Sequence, residues 1–418
     1  MALELEDIKF FKSQMVTDTE ENGGRMDETK QIISNVKYNL FPRVTYLERT
    51  NGYTRYRKEF ISNRNADNEK AYGALYALMM HQNGQDRFYI RPGSMTDTQS
   101  DIESQTEWYG GGKLASDVVA GATEIQIEFQ ADDYTILNNS QIVIGTYHSS
   151  SDSFVDISVC RTANDEHSDT QQQGDGSTTS FSRTLNHHPV LKNSYTISYT
   201  IDGTTYTGQD DGEGNITGEH ISSGSINYET GERSVEFDTP PDVDTGLTDN
   251  YTEQCYSFSG NVATIKLAEQ VPRDYSAEDS YAGVALELGD LFCYLFDLNK
   301  NSTNGTFDES LIQLENLGTV YDEWTITFQD ATTFTCTALY EGSQPNGSIN
   351  SDYSPINPRT GRPFFTIPPT CWGGSWQAGD SLTFKTHPSA KAIWWKEQVP
   401  AGTPREPNNK VYAEWLVE

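Results

Sequence analysis

His187 and His188 are adjacent, and Pro189 follows them. In an extended segment neighbouring side chains point to opposite faces, so the pair is poorly placed to share one metal ion and reads as part of a turn. Asp297-Leu-Asn-Lys-Asn-Ser-Thr-Asn-Gly305 partly echoes a calcium loop, with oxygen side chains at positions 1, 3 and 5 and Asp308 at position 12. Ser302 replaces the glycine of the sharp turn, Asp308 replaces the bidentate glutamate, and no paired helices are expected around it. Asp210-Asp211-Gly-Glu213-Gly-Asn215 is also acidic and could bind calcium weakly. Both stretches read first as solvated turns, and calcium binding at Asp297–Asp308 or Asp210–Asn215 stays open.

Paired acids such as Glu20-Glu21 and Asp132-Asp133 invite a glycosidase reading. That mechanism needs two carboxylates at a set separation in a cleft, and a chain with 61 acidic residues does not single out a pair. Gly-x-Ser-x-Gly, phosphate-loop and His-Glu-x-x-His motifs do not occur. Trp372-Gly-Gly-Ser-Trp376 and Trp394-Trp395 read as core or subunit contacts, with sugar stacking as the sharper alternative. Arg49, Arg55, Arg57, Lys58 and Arg64 form a basic cluster in an acidic chain. They read either as a solvated strand face or as an interface, because arginine pairs bidentately with carboxylates. No catalytic residue, cofactor or firm metal site emerges, and the chain is expected not to be an enzyme.

The elements that must position these residues are β-strands. The chain has 418 residues, enough for two or three domains, and only 35% are hydrophobic. Tyrosine is frequent, at 23 residues, which favours strands and interfaces. The 29 basic residues against 61 acidic ones leave a net charge of -32. Such a surface repels phosphate backbones and anionic membranes, so no direct nucleic-acid or membrane partner is expected. Five scattered cysteines, Cys160, Cys255, Cys293, Cys336 and Cys371, include no Cys-x-x-Cys pair. They read as buried free thiols of a chain made in a reducing cytoplasm. The N-terminal residues lack a basic region and an apolar run, and Ala71–Met80 is too short to span a bilayer.

The expected fold is mainly β, with two or three β-sandwich-like domains and a small mixed α/β N-terminal region. Residues 1–110 form that mixed region, with Met26–Val36 read as a short helix and Tyr53–Ile61 as a strand with charged outward positions. Trp108-Tyr-Gly-Gly-Gly112 reads as a flexible joint. Residues 111–170 are the first part of a β domain, in which Ile125, Ile127 and Phe129 alternate inward. An inserted β-sandwich module at 171–254 interrupts this domain. Tyr195, Ile197, Tyr199 and Ile201 alternate into Asp202-Gly203, a strong two-residue hairpin signal. Residues 255–418 resume the β domain. There Glu323–Phe328 and Thr333–Thr337 form a hairpin over Asp330–Thr332, with Trp324, Ile326 and Phe328 on one face.

Several stretches resemble a structural protein of tailed-bacteriophage virions. They are Leu5-Glu-Asp-Ile-Lys-Phe-Phe-Lys-Ser13, Asn39–Lys58 (Asn-Leu-Phe-Pro-Arg-Val-Thr-Tyr-Leu-Glu-Arg-Thr-Asn-Gly-Tyr-Thr-Arg-Tyr-Arg-Lys), and Phe365–Phe384 with Thr386-His-Pro388. The insert is similar to a β-sandwich module found repeatedly in phage particle proteins. The resemblance implies a virion component without chemistry of its own, made in the host cytoplasm. Its favoured place is the neck, as a collar protein around the head–tail connector. It implies a ring-shaped homo-oligomer and virion partners such as connector, tail terminator, sheath or capsid. A baseplate, tail or capsid-decoration protein and a carbohydrate-binding adhesin are the alternatives.

Overall fold

The computed structural model describes residues 3–82, 84–407 and 410–417. The fold is mainly β: strands take up 51% of the chain and helix 5%, in antiparallel sheets. Two units form, Met1–Tyr109 with Leu286–Glu418, and Gly110–Ala285.

In the first unit, one sheet has the order Gly23–Ile32, Ile8–Met15, Tyr53–Asn63, Ala390–Val399, Arg87–Gly93. Tyr53–Asn63 is central. Phe60 pairs with Phe11 on one side, and Lys58 with Trp394 on the other. Residues from both ends of the chain therefore share one ladder. The segment expected as a helix, Met26–Val36, instead supplies the edge strand Gly23–Ile32, while Ile33 and Val36 lie exposed. Pairing with Ile8–Met15 overrides the local helical spacing of Ile32, Ile33 and Val36.

A second sheet in this unit has the order Tyr294–Asn301, Ser381–His387, Asp322–Phe328, Thr333–Ala338, Gly342–Ser343. The expected hairpin is present, with Phe328 opposite Phe334 and the Asp330 carboxylate accepting from the Thr332 and Thr333 amides. Trp324, Ile326 and Phe328 face one core with Phe364, Phe365, Trp376, Leu382 and Phe384.

The second unit begins with Gly111–Leu114, which lies between Glu124–Glu128 and the start of Ser280–Leu291. The glycines expected to be a flexible joint are packed. A Cβ on Gly110 would sit 2.1 Å from the Tyr134 ring, and one on Gly112 would sit 2.1 Å from the Glu128 carbonyl. They are there for close approach, not for mobility. Residues 255–285 resume the interrupted domain, since Val262–Lys266 pairs with Glu124–Glu128, but Leu286–Glu418, expected to continue it, groups with Met1–Tyr109 instead.

The inserted module is a two-sheet β-sandwich within this unit. Five strands, Glu166–Gln173, Gly246–Thr252, Thr196–Ile201, Thr204–Asp210 and Ile216–Thr217, make one sheet. Ser180–Thr184, Glu232–Phe237 and Ile221–Ile226 make the other. Tyr195, Ile197, Tyr199, Ile201, Phe181, Val235, Phe237 and Leu247 fill the space between. The predicted hairpin has Ile201 opposite Thr204, with Asp202 at φ 50° and Gly203 at φ 74°, as a primed turn requires. Pairing starts at Glu166, upstream of the expected boundary at 171. Glu166–Gln173 has no buried residue and so carries no hydrophobic signal. Glu166 pairs with Thr252, so the module enters and leaves on neighbouring strands, which suits insertion into a host domain.

Candidate functional site

Arg55, Arg57 and Lys58 of the basic cluster lie on the central strand of the first sheet and are buried, while Arg49 lies in the short helix Tyr46–Asn51 and Arg64 just past the strand's end. Arg55 is 3% exposed and holds Glu397 at 2.8 Å, with Glu48 and Asp18 also against it. Arg57 holds Asp18 at 2.7 Å and donates to the Thr17 carbonyl at 3.0 Å. Lys58, on the opposite strand face, has a fully covered side chain. Its ammonium meets an Asp97 carboxylate oxygen at 2.5 Å and donates to the carbonyls of Gly24 and Asp97 at 2.8 and 3.0 Å. Burial lowers the Lys58 amine to about 8 despite Asp97, and raises the Glu397 carboxyl to about 7 despite Arg55.

Arg64 pairs with Glu28 at 3.0 Å, and Arg49 lies over the Tyr46 ring, partly exposed. The expectation of charged outward positions on this strand therefore fails for Arg55, Arg57 and Lys58. Covered on both edges and both faces, the strand satisfies its cations with carboxylates of its own chain. Lys58 donates to two carbonyls, sits against the Asp97 carboxylate and has no exposed side-chain surface from which a substrate could reach it. The arrangement binds the N-terminal loops and the C-terminal strand to the centre of the sheet.

Trp394 is fully buried next to this lysine. Its ring fills the space left by two glycines: a Cβ at Gly23 or at Gly93 would each come within 2.8 Å of it. Trp395 donates to Glu59 at 2.7 Å, and Tyr76 donates to the same oxygen at 2.6 Å. Trp376 stacks on Phe328 with centroids 4.4 Å apart, and Trp372 packs edge-on to Phe307 and Trp376. The structure thus places the four rings in cores, partly so for Trp372, and they do not form a sugar platform.

The calcium-like stretches do not converge either. Asp297 pairs with Lys385 at 3.0 Å, within the strand Tyr294–Asn301. Asp308 caps the turn Glu309–Leu311 by accepting from the Ser310 amide. Asp210 is buried and accepts from the Asn193 and Tyr195 amides and the Tyr228 hydroxyl. Asp211 accepts from Glu213 and Asn215 within its own turn. The carboxylates are spent on structure that the chain supplies itself. The cysteines are free, and burial raises their thiols, to about 11 for Cys255, Cys336 and Cys371 and about 12 for Cys293. A thiol so raised stays protonated and is a poor nucleophile at neutral pH.

Two groupings join residues far apart in sequence. Between the module's sheets, Asp249 is fully buried and accepts from two of the three Arg233 nitrogens, Nε at 2.8 Å and Nη2 at 3.0 Å. The Tyr195 hydroxyl at 2.6 Å and Arg183 at 3.1 Å complete the set. Arg233 and Arg183 come from one sheet, Asp249 from the other and Tyr195 from the residue just before that sheet's strand Thr196–Ile201, so charge as well as apolar packing clamps the sandwich. At the root of the module, His187 turns away from His188 and stacks on His167. Only the tertiary fold brings these two histidines together.

Comparison of the chain with protein-family models, curated proteins and solved structures finds no match.

Proposed function

We propose that the chain is a non-enzymatic structural component of a tailed-bacteriophage particle, a neck or collar protein that assembles as a ring around the head–tail connector. The observation that carries the assembly reading is the segment 33–47. It exposes Ile33, Val36, Tyr38, Tyr46 and Leu47, each more than half accessible. It also carries Lys37 and Arg43 and no acidic residue, on a chain of net charge -32. An apolar, basic arm on an acidic protein is suited to a neighbouring copy's acidic surface. One patch meeting a different patch on the next copy closes into a ring when the rotation permits. The phage assignment itself rests on the resemblance of Leu5–Ser13, Asn39–Lys58 and Phe365–Phe384.

Support also comes from where the reactive groups are spent. Cations, thiols and tryptophans with possible chemistry serve burial and pairing inside the chain. The adhesin alternative leans on the tryptophan pairs and on surface acids, and Trp376, Trp394 and Trp395 are buried, with Trp372 half-buried against Trp376. Sedimentation velocity tests assembly. The purified chain should form a large oligomer, alone or on added connector protein, and Val36→Ser with Leu47→Ser should shift it to monomer. A wild-type chain that stays monomeric and binds neither connector nor tail proteins contradicts the proposal.

A further inference from the structure

The root of the inserted module gathers three metal-ligating side chains from distant parts of its sequence. His167 lies on the first strand, His187 on the connection before Pro189, and Glu253 directly after the last strand. A nitrogen from each histidine and an oxygen of the glutamate all lie within 4.8 Å of one another. His167 Nε2 is 3.5 Å from Glu253 Oε2, and His187 Nδ1 is 3.8 Å from the same oxygen. In a tetrahedral zinc site with bonds of 2.0–2.2 Å, ligand atoms lie roughly 3.3–3.5 Å apart. The two histidine–glutamate spacings are close to that value, and convergence on one ion needs one ring to turn out of the stack.

The surroundings fix two donors and leave the third adjustable. The Glu253 amide donates to the Asp165 carbonyl at 2.9 Å, and its own carbonyl accepts from Asn138 at 2.7 Å. The Glu253 side chain is 7% exposed, with Lys266 on Oε1, so Oε2 is the oxygen directed at the histidines. His167 Nε2 is buried and has no hydrogen-bond partner. A buried polar atom left so is costly, and a cation would satisfy it. The His167 and His187 rings lie parallel, 3.7 Å apart and 2° from coplanar orientation. Their lone pairs must turn toward each other to converge, and the 48%-exposed His187 side chain has the freedom to do so.

We infer that His167, His187 and Glu253 form a binding site for a divalent transition-metal ion, of which zinc suits the donor set best. Two imidazoles and a carboxylate leave a fourth coordination position, on the solvent side next to His187. The ion would tie together the module's first strand, its cis-proline connection and its exit into the host domain. The metal thus has a structural place at the point where insert and host join. This inference does not depend on the particle assignment.

The test is titration of the metal-free full-length protein with zinc by calorimetry, and with cobalt by visible absorption. The expected result is one ion per chain, a tetrahedral cobalt spectrum, and affinity that falls on acidification because protons compete with the ion for the ligand atoms. His187→Ala, at an exposed position, and Glu253→Gln should each weaken binding by at least about tenfold. His188→Ala should leave it intact, because His188 packs on Gly231. Absence of binding at excess zinc overturns the inference. So does binding that survives His187→Ala in a folded protein, since the ion would then sit elsewhere.

Discussion

Replacing Arg233 by alanine should destabilise the inserted module by about 3 kcal/mol, the lower end of the ~3–5 kcal/mol seen when one partner of a buried pair is removed. Asp249 has no exposed surface and depends on Arg233 for two charge-assisted bonds. Without the guanidinium the carboxylate stays buried and must either remain charged or take up a proton. The lower end applies because Arg183 still reaches Asp249 at 3.1 Å and Tyr195 still donates to it. The chain's seven tryptophans all lie outside 166–252, so their fluorescence reports on the rest of the protein. Hydrogen exchange of the Thr196–Ile201 amides reports on the module. Protection there should fall by roughly two orders of magnitude, at ~1.4 kcal/mol per tenfold. Replacing Arg233 by methionine together with Asp249 by leucine should recover most of the loss, because no charge is then stranded. A loss below about 1 kcal/mol for Arg233→Ala would mean that the pair does not clamp the sheets.

Trp394→Ala should cost about 3–5 kcal/mol in the first unit. The ring occupies a slot floored by Gly23 and Gly93, where no other side chain can expand to fill the void. It also lies 5.6 Å from the Lys58 ammonium, whose burial it helps to maintain. Water admitted through the cavity would weaken the Lys58–Asp97 pair as well. Trp394→Phe should cost markedly less, since most of the volume is kept. Thermal or denaturant unfolding followed by far-ultraviolet circular dichroism measures both. A Trp394→Ala protein of unchanged stability that lost binding to a glycan would restore the sugar-platform reading.

Sequence resolves the elements whose causes are local. The turn at Asp202-Gly203 has its signal in two residues, and the strand before it alternates strictly. The same holds for Trp324, Ile326 and Phe328, whose one-sided burial follows from period-two spacing. What it does not resolve depends on partners far along the chain. Arg55 reads as a solvated cation until Glu397, 342 residues later, is placed beside it. Met26–Val36 has helical spacing, yet its first half is claimed by the edge of a sheet. Glu166–Gln173 hides because an exposed edge strand needs no apolar residues. His167 and Glu253 sit 86 positions apart in number, and only the pairing of the module's first and last strands brings them beside His187. The sequence reading of His187 with His188 considers the wrong neighbour for that reason.

The measurement that tests the central proposal most directly is electron microscopy of intact tailed particles labelled with antibody against the exposed module, residues 166–252. Label in a ring at the head–tail junction is the predicted result, and would make the module an outward projection of the collar. Label at the distal tail or over the capsid would contradict the neck placement and move the chain to a baseplate or decoration role. Absence of the chain from the particles would contradict the virion assignment altogether.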